Sequence, residues 1–180
     1  MAASEHRPDG APPVGQVIPF DPIAPVESAT RRVPAGVVTL GLESRTLDSG
    51  VVSDFYTGHQ HEQAALGEMA AHGPVDDGGL SIHVFGTDDQ REYLRFDCFR
   101  GQPHYHYLLP DESYQVVVPL DIVANGDPFE WALNTIRARL PEMLAAAGAP
   151  ELAVRIDKAA IAGALSGLTD RSGEPGREGL

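Results

Sequence analysis

Between residues 80 and 120 four runs rich in aromatic and branched residues, GLSIHVFG, REYLRFDCF, PHYHYLL and SYQVVVPL, follow one another at spacings of about 10 to 12 residues. The segments between them, GTDDQ, RGQP and PDES, are made of turn-forming residues. Connections this short join antiparallel neighbours, because a parallel crossover needs a dozen residues or more. The pattern therefore predicts a four-stranded meander. Upstream, GVVTLGLESRTL alternates Val38, Leu40 and Leu42 with Val37, Thr39 and Gly41, which predicts a further strand at one edge and five in all.

After the meander the period changes to that of a helix. Asp127 caps, Pro128 takes the first helical position, and Glu130 stands where a capping-box glutamate would. Phe129, Leu133, Ile136, Leu140, Met143 and Leu144 then form one apolar stripe. Pro141 is expected to kink or divide this helix, and Gly148 to end it. A second helix starts at Asp157, with Ile161, Ala164, Leu165 and Leu168 on its apolar face. Helices grouped after a meander give an α+β fold, an antiparallel four- to five-stranded sheet packed on one face by C-terminal helices. Leu94, Phe96 and Cys98 place those helices on their side and leave the other face open. A shorter helix is expected within Ser53–His72.

Residues 1–35 carry seven prolines among few periodic apolar residues and read as a disordered arm, although Val14 to Ile23 could dock as an extended segment. Residues 36–168 form a single domain, and 169–180 a disordered tail. The formal charge of -13 disfavours nucleic acid and acidic membrane surfaces, and no stretch reaches the roughly 20 apolar residues of a membrane span. One cysteine and a polar, proline-rich start without a secretory h-region point to the cytoplasm.

His104 and His106 in PHYHY are two apart on a predicted strand and so project from one face. If the turn is Arg100 to Pro103, Phe99 pairs with His104 and Asp97 lies opposite His106. Two imidazoles and a carboxylate are the ligand set of a non-haem iron or catalytic zinc centre, so His104, His106 and Asp97 are the candidate metal ligands, or, alternatively, Asp97 orients His106 from behind the ligands. A one-residue slip would move Asp97 to the other face. Tyr93, Arg95, Asp97 and His106 are, alternatively, a metal-free binding surface for an anionic or hydroxylated ligand. His83 points away if the first hairpin has a four-residue loop. His61, Glu68 and His72 share a helix face that reads as solvated. Cys98 reads as inert packing, and Tyr105, Tyr107 and Trp131 as sheet-to-helix packing.

The runs SIHVFG, EYLRFDCF and PHYHY, followed by DPFEWALNTIRARLPEML, resemble an uncharacterised bacterial domain family over about residues 79–168. The resemblance implies one folded unit of meander and helices and assigns no substrate, cofactor or catalytic residue. Without a complete catalytic signature, the residues favour a non-catalytic binding or accessory protein, with a protein partner or a second copy as its target. The alternatives are a mononuclear iron or zinc enzyme using His104, His106 and Asp97, and a metal-free small-molecule site.

Overall fold

The computed structural model describes residues 14–18, 22–48, 50, 76–109 and 114–170. Its strands are β1 (Gln16–Ile18), β2 (Thr30–Ala35), β3 (Val38–Asp48), β4 (Asp76–Gly86), β5 (Glu92–Phe99), β6 (His104–Leu109) and β7 (Tyr114–Pro119). They form one antiparallel seven-stranded sheet in the order β1-β7-β6-β5-β4-β3-β2. The expected meander is β4 to β7, and β3 pairs at its edge as predicted. The count of seven exceeds four or five because two strands come from the segment read as an arm. Gln16–Ile18 pairs with β7 and Thr30–Ala35 with β3. Proline content hid them: Pro34 sits on β2, an edge strand, where a missing N–H costs no ladder bond. The helix expected within Ser53–His72, with His61, Glu68 and His72, lies outside the described residues.

Four helices follow: α1 (Ile122–Asn125), α2 (Pro128–Ala146), α3 (Pro150–Ala153) and α4 (Lys158–Thr169). Asp127 accepts the Glu130 N–H at 2.9 Å, and Asp157 accepts those of Ala159 and Ala160, so both caps are as the sequence predicts. Helix α2 ends at Gly148, whose φ of +81° is left-handed. The Gly148 N–H bonds the Ala145 carbonyl and the Ala149 N–H that of Leu144, a Schellman ending that satisfies two orphan carbonyls. The Asp127→Ala variant is expected to lose about 1 kcal/mol of stability, read as a lower urea midpoint at unchanged slope.

Pro141 does not divide α2, which runs unbroken for 19 residues. An interior proline costs about 3 kcal/mol. Burying Ile136, Leu140 and Leu144, all at most 1% exposed, contributes about 1.5–3 kcal/mol each, which exceeds that cost. Helix α2 lies over β5, and α4 over β2 and β3. Their stripes close a core with Leu40, Ile82, Val84, Leu94 and Phe96, the side to which sequence alternation assigned them.

Candidate metal centre on a buried polar face

The alternate positions of the same strands make the second face, and it is polar. Glu43 and Arg45 come from β3, Ser81 and His83 from β4, Glu92, Arg95 and Asp97 from β5, His104 and His106 from β6, and Gln115 from β7. This face is buried rather than open, since all of these except Glu92 and His104 are buried. Residues 22–29 lie against it: the Ile23 carbonyl accepts from Arg95 and Arg45, and the Val26 N–H donates to Glu43.

Two register details decide which side chains meet. Asp97 pairs with His104 and Arg95 with His106, so β5 and β6 are offset by two residues from the expected pairing of Asp97 with His106. A two-residue offset keeps each side chain on its face, and the triad survives. The β4–β5 ladder shifts between Val84 and Phe85, where Phe85 faces Glu92 rather than Tyr93. That irregularity supplies the odd residue needed to turn His83 onto the polar face, against the expectation. It also sends Tyr93 into the core on the helix side, its hydroxyl donating to Asp89, so Tyr93 is not part of a ligand surface with Arg95, Asp97 and His106.

Asp97, His104 and His106 are brought together, their ligating atoms all within 4.8 Å of one another. The Nδ1–H of His104 donates to the Gln102 carbonyl at 2.7 Å, which leaves the Nε2 lone pair facing Asp97 Oδ2 at 3.4 Å. Burial, and then the charge of His106, hold His104 below its ordinary pKa and keep it neutral. Nδ1 of His106 lies 2.7 Å from Gln115 Oε1, and its Nε2 lies 3.0 Å from the same Asp97 oxygen. The other Asp97 oxygen accepts from the Ser81 hydroxyl at 2.5 Å. Burial alone would raise the Asp97 pKa, but the hydrogen bond and charge of His106, with Arg95 nearby, hold it well below the carboxylate range.

Each histidine thus uses Nδ1 on an oxygen and turns Nε2 to one shared carboxylate oxygen, the outer-shell arrangement typical of metal ligands. A metal about 2.1 Å from each donor holds neighbouring donors about 3.0–3.4 Å apart. Both distances to Asp97 fit, and the two histidine nitrogens, within 4.8 Å of each other, would close to that spacing on binding. Sequence reasoning missed the supports. Asp77 accepts the Gly101 and Gln102 N–H groups and so fixes the turn whose carbonyl orients His104. Ser81 and Gln115 were readable only as alternate positions of their strands.

Beside the triad, His83 is clamped between Glu92, at 2.5 Å, and Glu43, at 3.1 Å, and Glu92 also takes two N–H bonds from Arg95. Burial lowers the His83 pKa, but the two carboxylates outweigh it and raise the value above the ordinary one. Cys98 packs against the core, and burial followed by the charges of Asp97 and Asp127 pushes its thiol up to about 12, far from a reactive thiolate. On the helix side Tyr105, Tyr107 and Trp131 pack together as expected, beside a cavity of about 240 Å³ reaching Thr135, Arg139 and Met143.

Fold and site define an α+β protein whose antiparallel sheet packs helices on one face and buries a histidine–carboxylate cluster on the other. The chain belongs to the DUF7700 family, described as a domain of unknown function, which matches residues 32–172. Comparison with curated proteins and with solved structures finds no match. Among the described residues, no helix is long and apolar enough to cross a membrane.

Proposed function

We propose that this chain is a metal-dependent enzyme with a mononuclear iron or zinc centre held by Asp97, His104 and His106. The observation that carries the reading is the convergence of two imidazole Nε2 atoms on one Asp97 oxygen, each ring's Nδ1 being already engaged. Without metal a proton on His106 Nε2 bridges it to Asp97, and a cation would take the place of that proton between the three groups. Three protein ligands from two adjacent strands leave further coordination positions for water and substrate, as in catalytic rather than structural sites. The metal would supply a Lewis acid or a redox centre. Ser81, Gln115 and the Gln102 carbonyl would hold its ligands in orientation.

An interaction protein is the second reading. It draws on Val123 and Val154, exposed at 94% and 85%, but single exposed apolar residues are ordinary.

Elemental analysis of the purified, untagged protein by inductively coupled plasma mass spectrometry tests the proposal. Near-stoichiometric iron or zinc is expected, directly or after reconstitution. The His104→Ala/His106→Ala variant is expected to lose it while keeping its far-ultraviolet circular dichroism. Equal metal in both proteins, or none in either, would overturn the reading.

A further inference from the structure

The two edge strands β1 and β2 are consecutive in sequence yet lie on opposite sides of the sheet. Their connection therefore runs from one edge to the other, and residues 22–29 are its described part. Five side-chain hydrogen bonds hold these residues to the sheet, two of them from β2, where the Thr30 hydroxyl donates to the Val26 carbonyl at 2.9 Å and Arg32 Nη2 donates to Glu27 at 2.6 Å. Arg95 Nη1 donates to the Ile23 carbonyl at 2.8 Å, Arg45 Nη2 donates to the same oxygen at 3.3 Å, and the Val26 N–H donates to Glu43 at 3.2 Å. Ala24 and residues 26–29 are exposed. All five are exposed or part-buried side-chain bonds and none is a ladder bond, which places the segment toward the low-stability end of the structure.

Each guanidinium divides its donors between two kinds of acceptor. Arg95 gives Nε and Nη2 to the Glu92 carboxylate, and Arg45 has Nε 3.7 Å from Glu43. Both then turn their remaining edge to a single neutral carbonyl, although both are buried, at 2% and 6% exposure. Two cations sharing one uncharged oxygen form a better site for an oxyanion, whose charge-assisted hydrogen bonds are roughly twice as strong. The place is adjacent to the proposed metal, since Arg95 pairs with His106 across β5 and β6. Three carboxylates, Glu43, Glu92 and Asp97, face these two guanidiniums, so a divalent metal would give the buried cluster an excess of positive charge. Asp97 and His106 are buried, at 3% and 6% exposure, and of the three candidate ligands only His104 keeps a partly exposed side, so the Arg45–Arg95 side of the cluster opens only if residues 22–29 move.

We propose that Arg45 and Arg95 form the seat for an oxyanion group of the substrate, a carboxylate or a phosphate, and that residues 22–29 are a lid whose Ile23 carbonyl fills that seat when closed. The substrate displaces the carbonyl, and lid opening admits it to the metal. The catalytic meaning of the seat rests on the metal reading, but the seat itself is present without metal.

The test is amide hydrogen exchange, read by mass spectrometry over residues 22–29 of the full-length, metal-free protein. Inorganic phosphate and oxalate are the probes, with chloride at equal ionic strength as control. The expected result is a saturable rise in exchange with one or both oxyanions, none with chloride, and loss of the response in Arg45→Met. The Pro22→Gly/Pro25→Gly variant leaves the charged cluster intact and lowers the cost of opening. It is expected to bind the same probe about tenfold more tightly. No response to either oxyanion, an equal response to chloride, or a response retained in Arg45→Met would overturn the seat and the lid together. Metal bound without an oxyanion response defeats this inference alone, and an oxyanion response in a protein that takes up no metal defeats the metal reading alone.

Discussion

Replacing Glu92 with alanine is expected to lower the unfolding free energy by about 3–5 kcal/mol, the range for breaking a buried ion pair from one side. Glu92 accepts Nε and Nη2 of Arg95 at 2.8 and 2.6 Å, and its Oε1 also meets His83. Without it the Arg95 guanidinium keeps only the Ile23 carbonyl as a hydrogen-bond partner, and it loses its hydrogen-bonded counter-ion, with Asp97 and Glu43 contributing only through the field. The carboxyl pKa points the same way. Burial would raise it, but the Arg95 charge and hydrogen bonds, and then His83, bring it down to about 2. A fall from the ordinary 4.5 to about 2 corresponds to about 3 kcal/mol of stabilisation at neutral pH. Urea unfolding of the single variant checks the loss. The Glu92→Leu/Arg95→Met double variant separates pairing from packing, because removing both charges avoids the orphaned cation and should recover much of the loss. A single-variant loss below about 1 kcal/mol would mean that water solvates Arg95 as well as Glu92 does.

Glu92 also marks the boundary of what the sequence discloses. In a regular strand residues 92 and 95 point to opposite faces, and only the irregularity at Val84 and Phe85 brings them together. Alternation gave the meander, the strand at Val38, both helix caps and the helix-bearing face, because each is a local pattern of residue type. It also put Asp97, His104 and His106 on one face, and the outcome tolerated a register wrong by two because side-chain direction repeats every two residues. Where one residue mattered, at His83 and Tyr93, the alternation failed. The burial of the polar face was equally invisible, since around Glu43, Arg45 and Arg95 it involves Ile23 and Val26 meeting side chains far along the chain. Prolines suggested disorder there because their effect on local structure is legible and a distant guanidinium partner is not. Pro141 shows the same limit, its local cost being offset by packing with residues the helix does not contain.

Stability is expected to fall on the alkaline side above about pH 6.5 as His83 loses its proton and on the acid side below about pH 4.5 as the carboxylates gain theirs. His104, whose value is lowered, costs stability below about pH 6.5 and so works against His83. The sign follows from the partners. His83 faces Glu43 on β3 and Glu92 on β5, with Arg95 the nearest opposing charge, and its folded pKa is raised. A raised histidine contributes stability that is complete below its unfolded value, near 6.5, and is lost as pH climbs through the folded value. Glu43, Glu92 and Asp97 have lowered values, so their contribution is present above the unfolded carboxylate range and lost as pH falls through the folded values, about 2 for Glu92. Thermal unfolding midpoints of the metal-free protein across this range would show both limbs. In His83→Gln the alkaline decline should flatten while the acid limb keeps its shape, because glutamine retains hydrogen bonding to the carboxylates but has no proton to lose there. An alkaline limb unchanged in His83→Gln would assign it to another group. The clamp on His83 would then hold a neutral ring, and the ionic continuity from Glu43 through His83 to Glu92 and Arg95 would not exist.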